Sequence, residues 1–388
     1  YYDVPAGYLA LCTSNLPDPE IALPGENFNT VLYTGNGGTQ SVTGAGFEPD
    51  FVWLKNRDDA VNHGLFDTVR GVRDSLSSNT TTEARTAAGA TEDLYAFNSD
   101  GFSVGVDTGG TSYINCNENT KDYASWNWKA GGAPTADNSA GAGATPTAGS
   151  VKIDGSNLGS ALAGSIAATR LSANTTSGFS IVKFTGNLTS GATIAHGLSE
   201  APEFVLLKTL DIARNWIDNV PGSTWSYYMH LSASDAQTSD TSLFNGTAPS
   251  ASVVTLGSAA SANDDEGMVA YCFHSVEGYS KVGSYTGNGN ADGTFIYTGF
   301  KPEYIMSKYI GVADDWRIMD TARSTYNVAT KRLYANTNAA EFDGASQSKD
   351  FLSNGFKIRT DEAGFNASGG VYLYLAFAES PFKYSNAR

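Results

Sequence analysis

Pro49-Asp50-Phe51-Val52-Trp53-Leu54-Lys55, Pro202-Glu203-Phe204-Val205-Leu206-Leu207-Lys208 and Pro302-Glu303-Tyr304-Ile305-Met306-Ser307-Lys308 share one pattern: proline, acid, aromatic, β-branched residue, and lysine three further on. Proline suits the start of a strand, where its missing N–H costs nothing, and the apolar run behind it is one strand long. A strand apolar at successive positions, without alternation, is buried on both faces. The pattern therefore predicts the same interior strand three times.

Other marks keep step with it. Upstream stand Tyr33-Thr34-Gly35-Asn36, Phe184-Thr185-Gly186-Asn187 and Tyr285-Thr286-Gly287-Asn288, each closing an apolar strand. In the first and last, Asn-Gly supplies positive φ angles and predicts a hairpin turn. Downstream come Phe66-Asp67, Ile217-Asp218 and Met319-Asp320, with Lys55, Lys208 and Lys308 as expected salt-bridge partners of the aspartates. Gly101-Phe102 and Gly355-Phe356 follow in the outer copies only. Each stretch ends on an aromatic strand: Tyr123 to Trp128, Met268 to Phe273, Tyr372 to Phe377. Trp126 and Trp128 share a face of that strand and are expected in the core.

The expected fold is all-β: three tandem antiparallel β-sandwich, jelly-roll-like repeats of about 100 residues, each long enough for its own core. Residues 28–132, 178–278 and 279–388 are the three repeats, the second diverged and the last carrying a C-terminal tail. Residues 1–27, with Pro5, Pro17, Pro19 and Pro24, read as an extended arm along a neighbouring domain. Residues 133–177, rich in Gly, Ala, Ser and Thr, read as a flexible or surface-crossing connector, whereas the second and third repeats adjoin almost without linker and form a stiff pair.

Composition agrees: 42 Gly, 20 Tyr and 19 Phe in 388 residues suit short strands and tight turns. A net charge of −16 opposes nucleic acid and anionic lipid as partners. No run approaches the roughly 20 apolar residues of a membrane-spanning helix. Cys12, Cys116 and Cys272 have no metal-ligand spacing and read as small buried apolar residues.

Ser172 to Asn187 and Ile194 to Phe204 resemble a repeat of tail-fibre and other structural proteins of tailed bacteriophages, notably marine ones. The end, Tyr374 to Arg388, resembles that family's C-terminus, and the opening Tyr1 to Pro17 resembles the stretch that follows a SPRY-type, lectin-like domain there. The resemblance implies a virion surface protein that contacts other virion proteins, plausibly a homotrimer, and implies no activity. Starting at Tyr1 rather than Met, the sequence reads as a fragment or a processed product.

Chemistry in the sequence is sparse. His63, His196, His230 and His274 occupy unrelated places, and His-Glu-x-x-His does not occur. Asn263 to Glu266 and Asp314-Asp315 offer oxygens to calcium, yet read as solvated loop charge, so no cofactor is expected. Trp225, Tyr227 and Tyr228 lie outside the shared marks, where a repeated scaffold diverges, and are the candidate contacts for a host-surface glycan. The reading is of a non-catalytic virion component engaging a receptor; a polysaccharide depolymerase and a bacterial or prophage adhesin are the alternatives.

Overall fold

Alternation along the proline strand shows how the molecule is layered. Phe51 and Trp53 point into one apolar cluster and Val52 and Leu54 into another, so the sheet that carries them is covered on both faces. The computed structural model describes residues 12, 15–106 and 114–385. Readings that fall on Tyr1 to Leu11 or on the end of the tail lie outside the described residues. The fold is all-β with three four-residue helical turns, Thr241–Phe244, Ala260–Asn263 and Ala363–Asn366.

In the first stretch, an opening strand (Phe28–Thr34) lies beside the closing strand (Asp122–Trp128). The closing strand pairs on its other side with the proline strand (Phe51–Asn56), and the sheet continues through the return strand (Gly64–Asp67) to two outer strands, Gly71–Leu76 and Arg85–Thr86. A three-stranded sheet of Thr39–Thr43, Gly101–Gly105 and Asp93–Asn98 covers its outer face. The last stretch has the same order: Ser280–Thr286, Val371–Pro381, Phe300–Tyr309, Arg317–Asp320, Lys331–Tyr334 and Phe342–Asp343, covered by Phe295–Tyr297, Gly355–Ile358 and Lys349–Leu352. The middle stretch runs Phe179–Thr185, Gly267–Phe273, Phe204–Thr209, Ile217–Asn219, Tyr227–Met229 and Thr238–Ser239, beneath a two-stranded cover of Thr193–Ala195 and Val253–Thr255.

Residues 133–177 depart from the expected connector. Val151–Ile153 and Ser156–Asn157 form strands, and Ala168–Asn174 pairs antiparallel with the middle opening strand, enlarging that sheet to nine strands with one parallel pairing. Val151, Leu162, Ile166, Ala168, Leu171 and Ala173 are buried in its apolar layer. Its glycine and alanine content therefore permits close packing instead of preventing it. The arm is also engaged: Ile21 enters the central cluster, and Asp18 meets the Lys383 ammonium at 2.7 Å.

The inner faces of all three large sheets share one core. Phe51 stacks toward Tyr271 with ring centroids 4.8 Å apart, Phe28 toward Phe377 at 4.8 Å, and Phe273 meets Phe377 edge-on at 6.1 Å. Burying each such ring contributes about 1.5–3 kcal/mol. One apolar cluster thus draws on all three stretches, not only on the adjoining second and third.

Polar ties close the ring at corresponding positions. Trp216 donates its indole N–H to Ser77 O at 2.9 Å and Trp316 to His230 O at 3.1 Å, while His63 Nε2 meets Tyr334 O at 2.9 Å. In the opposite direction, Ala84 N donates to Leu210 O, Gln237 N to Ile310 O and Glu341 N to Arg57 O. The middle stretch thus holds the first, the last holds the middle, and the first holds the last.

The Thr-Gly-Asn turns are not hairpins. The opening strand and the strand after the turn lie in different sheets, because alternate apolar residues must cover both faces of the large sheet. Each turn asparagine instead meets a buried asparagine ahead of the closing strand. Asn36 N donates to Asn117 Oδ1 at 3.1 Å, Asn187 N to Asn263 Oδ1 at 2.9 Å and Asn288 N to Asn366 Oδ1 at 2.8 Å. A Cβ at Gly35, Gly186 or Gly287 would stand 2.1–2.3 Å from the carbonyl oxygen of the residue after that asparagine. Glycine is required there for close backbone approach.

Candidate functional site

The recurring acids are structural. Asp50 follows Pro49 into the proline strand and receives the backbone leaving the closing strand: Ala130 N at 2.8 Å and Gly132 N at 3.1 Å on Oδ2, with the Thr68 hydroxyl at 2.8 Å on Oδ1. Glu203 accepts Ser275 N at 2.7 Å in the same way, whereas Glu303 accepts Thr30 N of the first opening strand at 2.6 Å. Burial pushes the Asp50 pKa up to about 6 and that of Glu303 to about 8, against the hydrogen bonds each accepts.

Lys55, Lys208 and Lys308 do not pair with the aspartates as expected. Each ammonium group donates to the carbonyl of the next residue, the last of its strand: Asn56 O at 2.5 Å, Thr209 O at 3.0 Å and Tyr309 O at 2.8 Å. Burial lowers each pKa to about 8. Asp67 and Asp320 take arginines three residues on, Arg70 and Arg323, each at 2.6 Å.

Asp218 is not their counterpart. Phe51 faces Asp67 and Tyr304 faces Asp320, but Leu206, two residues beyond Phe204, faces Asp218. Continuing that register sets Val220 at the aspartate position and Asp218 where Leu65 and Ile318 stand. The sequence spacing, two residues short in the middle copy, carried this signal. Both Asp218 oxygens are buried without a hydrogen-bond partner. Burial raises its pKa well above the carboxylate range, against the Lys308 charge.

The histidines are also held. His63 accepts the Trp53 indole N–H at 2.9 Å, and His196 accepts Leu198 N at 3.2 Å and faces Ser250 O through Nε2 at 3.1 Å. His230 meets Asp235 at 2.9 Å. The acidic loops are committed to cations as well: Asp264 pairs with Arg214 at 2.9 Å and Asp314 with Arg317 at 2.6 Å. Among the described residues, no three metal-ligating side chains group together. Cys116 and Cys272 are buried as expected, but Cys12 is exposed.

Trp225, Tyr227 and Tyr228 do not converge. Trp225 packs edge-on against Phe244 at 5.4 Å and lines a 310 Å³ cleft with Glu203, Asn219 and Ser284. Tyr228 lines a separate 350 Å³ cleft with Arg214, His230 and Asp240, and Tyr227 packs against the central core. All three are half-buried, and strand alternation sends the neighbours Tyr227 and Tyr228 to opposite faces.

A larger cavity of 660 Å³ opens where the first stretch meets residues 133–177. Asn27, Glu48, Asp50, Lys129, Lys152 and Asp154 line it. Gly131 runs so close to Lys152 O and Ala173 O that a Cβ would lie within 2.5 Å of both. Thr175 donates to both Asp154 oxygens through N and hydroxyl, at 2.8 and 2.6 Å. Amide, ammonium and carboxylate groups together suit a polar ligand that both donates and accepts hydrogen bonds. Sequence reading missed this site because one wall belongs to the supposed connector.

None of the curated proteins matches the sequence. Residues 23–381 match the family described as Domain of unknown function (DUF7483), and the chain belongs to that family.

Proposed function

We propose that this chain is a non-catalytic structural and display component of a bacteriophage virion, a tail fibre or other surface appendage, made of three copies of one sandwich closed around a common core. The observation that carries the reading is where the shared polar residues go. The turn glycines and asparagines, the acids after proline and the lysines at strand ends all hold backbone or neighbouring sheets. What repeats is a set of contacts that hold backbone in place. The resemblance of Ser172 to Asn187 and of the C-terminal stretch to phage structural proteins supplies the owner.

Immunogold labelling of purified virions tests location; label confined to cell debris overturns the virion assignment. Incubating the protein with host surface polysaccharide tests the absence of catalysis, and released oligosaccharides overturn it.

A further inference from the structure

The outer covers of the three stretches differ at one pair of positions. In the first, Ser41 and Thr43 flank the inward Val42, which faces Phe102. In the middle, Thr193 and Ala195 flank Ile194, which faces Val254. In the last, Phe295 and Tyr297 flank Ile296, which faces Phe356. Two aromatic rings thus stand where the other covers carry small residues. They are 44% and 61% exposed.

Residues two apart on a strand share a face about 7 Å apart. Phe295 faces Lys357 across the sheet and Tyr297 faces Gly355, which carries no side chain to cover the ring. The rim is polar and charge-balanced. Lys357 meets Asp292 at 2.6 Å, and Arg359 reaches Asp292 and Asp350 at 3.4 Å each. Two cations and two carboxylates cancel, so the face attracts neither polyanion nor polycation, while their remaining lone pairs and N–H groups serve hydroxyls.

We propose that the outer face of the last cover, with Phe295 and Tyr297 as stacking platform and Asp292, Asp350, Lys357 and Arg359 as hydrogen-bonding rim, binds a neutral glycan. Exposed rings stack on the apolar faces of sugars, and the paired charges orient hydroxyls around them. A protein partner fits less well: two rings bury about 150–250 Å² each, against about 800 Å² per partner in a stable interface. The site deepens the display reading by naming a receptor chemistry and rests on that reading for its biological role.

The test uses the whole chain, a double variant F295S/Y297T that installs the residues of the first cover, and V72S, at an exposed residue of the first stretch, as a control away from the platform. Each is titrated by calorimetry and saturation-transfer NMR with neutral gluco-, galacto- and mannohexaoses and with heparin hexasaccharide. The expected result is binding of at least one neutral hexaose, weakened at least tenfold in the double variant, unchanged in V72S, with unchanged melting temperature. No neutral binding, binding indifferent to the double variant, or binding of heparin alone overturns the site. A double variant that alters only the sedimentation of the chain also overturns it, marking a contact between copies. Neutral glycan binding by a protein not found on virions would leave the site standing and remove the proposed owner.

Discussion

Trp126 donates its indole N–H to Asp320 Oδ2 at 3.0 Å, tying the first closing strand to the last return strand across 194 residues. One place round the ring, Tyr271 donates its hydroxyl to Asp67 Oδ2 at 2.6 Å. At the third corresponding place both partners are apolar, Val220 and Leu375, and both lie in the central cluster. Donor and acceptor are present together or absent together, as burial demands. Trp126→Phe removes a hydrogen bond to a buried carboxylate and leaves Asp320 Oδ2 with Arg323 alone, so urea unfolding should show a loss of about 1–3 kcal/mol. An unchanged midpoint would mean that the tie contributes nothing.

Asp218 occupies a place held elsewhere by Leu65 and Ile318, without a hydrogen-bond partner for either oxygen. Asp218→Leu should stabilise the protein at neutral pH by about 1–3 kcal/mol, the cost of an unsatisfied buried polar group. Because its folded pKa is raised, the acid's favourable contribution is present below about pH 3.8 and is lost as pH rises toward the folded value. The gain from the substitution should therefore shrink on acidification, as thermal melts at pH 3.5 and 7 would register.

His63 behaves with the opposite sign. Burial, and next the Lys55 charge, hold its pKa down to about 3 against the Tyr334 and Thr337 backbone contacts. An unfolded histidine titrates near 6.5. Stability is complete above that value and falls as pH drops toward 3, by up to about 1.4 kcal/mol per unit. Denaturation midpoints measured between pH 7 and 4 should fall less steeply in His63→Gln than in the unaltered chain; equal slopes would refute the assignment.

Leu188 stands where the other turns place Gly37 and Gly289, and all three have positive φ, at 56°, 70° and 66° respectively. Left-handed backbone costs a residue with a Cβ about 1–2 kcal/mol. The Leu188 side chain is partly exposed, so little packing is lost on its removal. Leu188→Gly should raise stability by about 1 kcal/mol after the entropy of glycine is deducted, visible as a higher urea midpoint with unchanged slope.

The all-β class and the burial of the proline strand were legible because side-chain type and spacing encode them locally. The Thr-Gly-Asn turn was legible as a turn but not as a crossing between sheets, since that depends on which layer Val42 must cover. Asn117, Asn263 and Asn366 had a signal, an asparagine five or six residues ahead of each closing strand. Their meaning needed the partner turn about 80 residues away. Asp218 misled because recurrence was judged from the nearest matching letter, whereas hydrogen-bond register decides equivalence.

By itself the sequence determined an all-β chain with antiparallel sheets, because apolar patterning, proline placement and turn chemistry act over a few residues. Tertiary structure alone decided that the large sheets close on one core, that residues 133–177 form strands, and that Phe295 and Tyr297 face outward. Those outcomes depend on which surfaces meet, and contacts between residues hundreds of positions apart leave no local pattern from which they can be read.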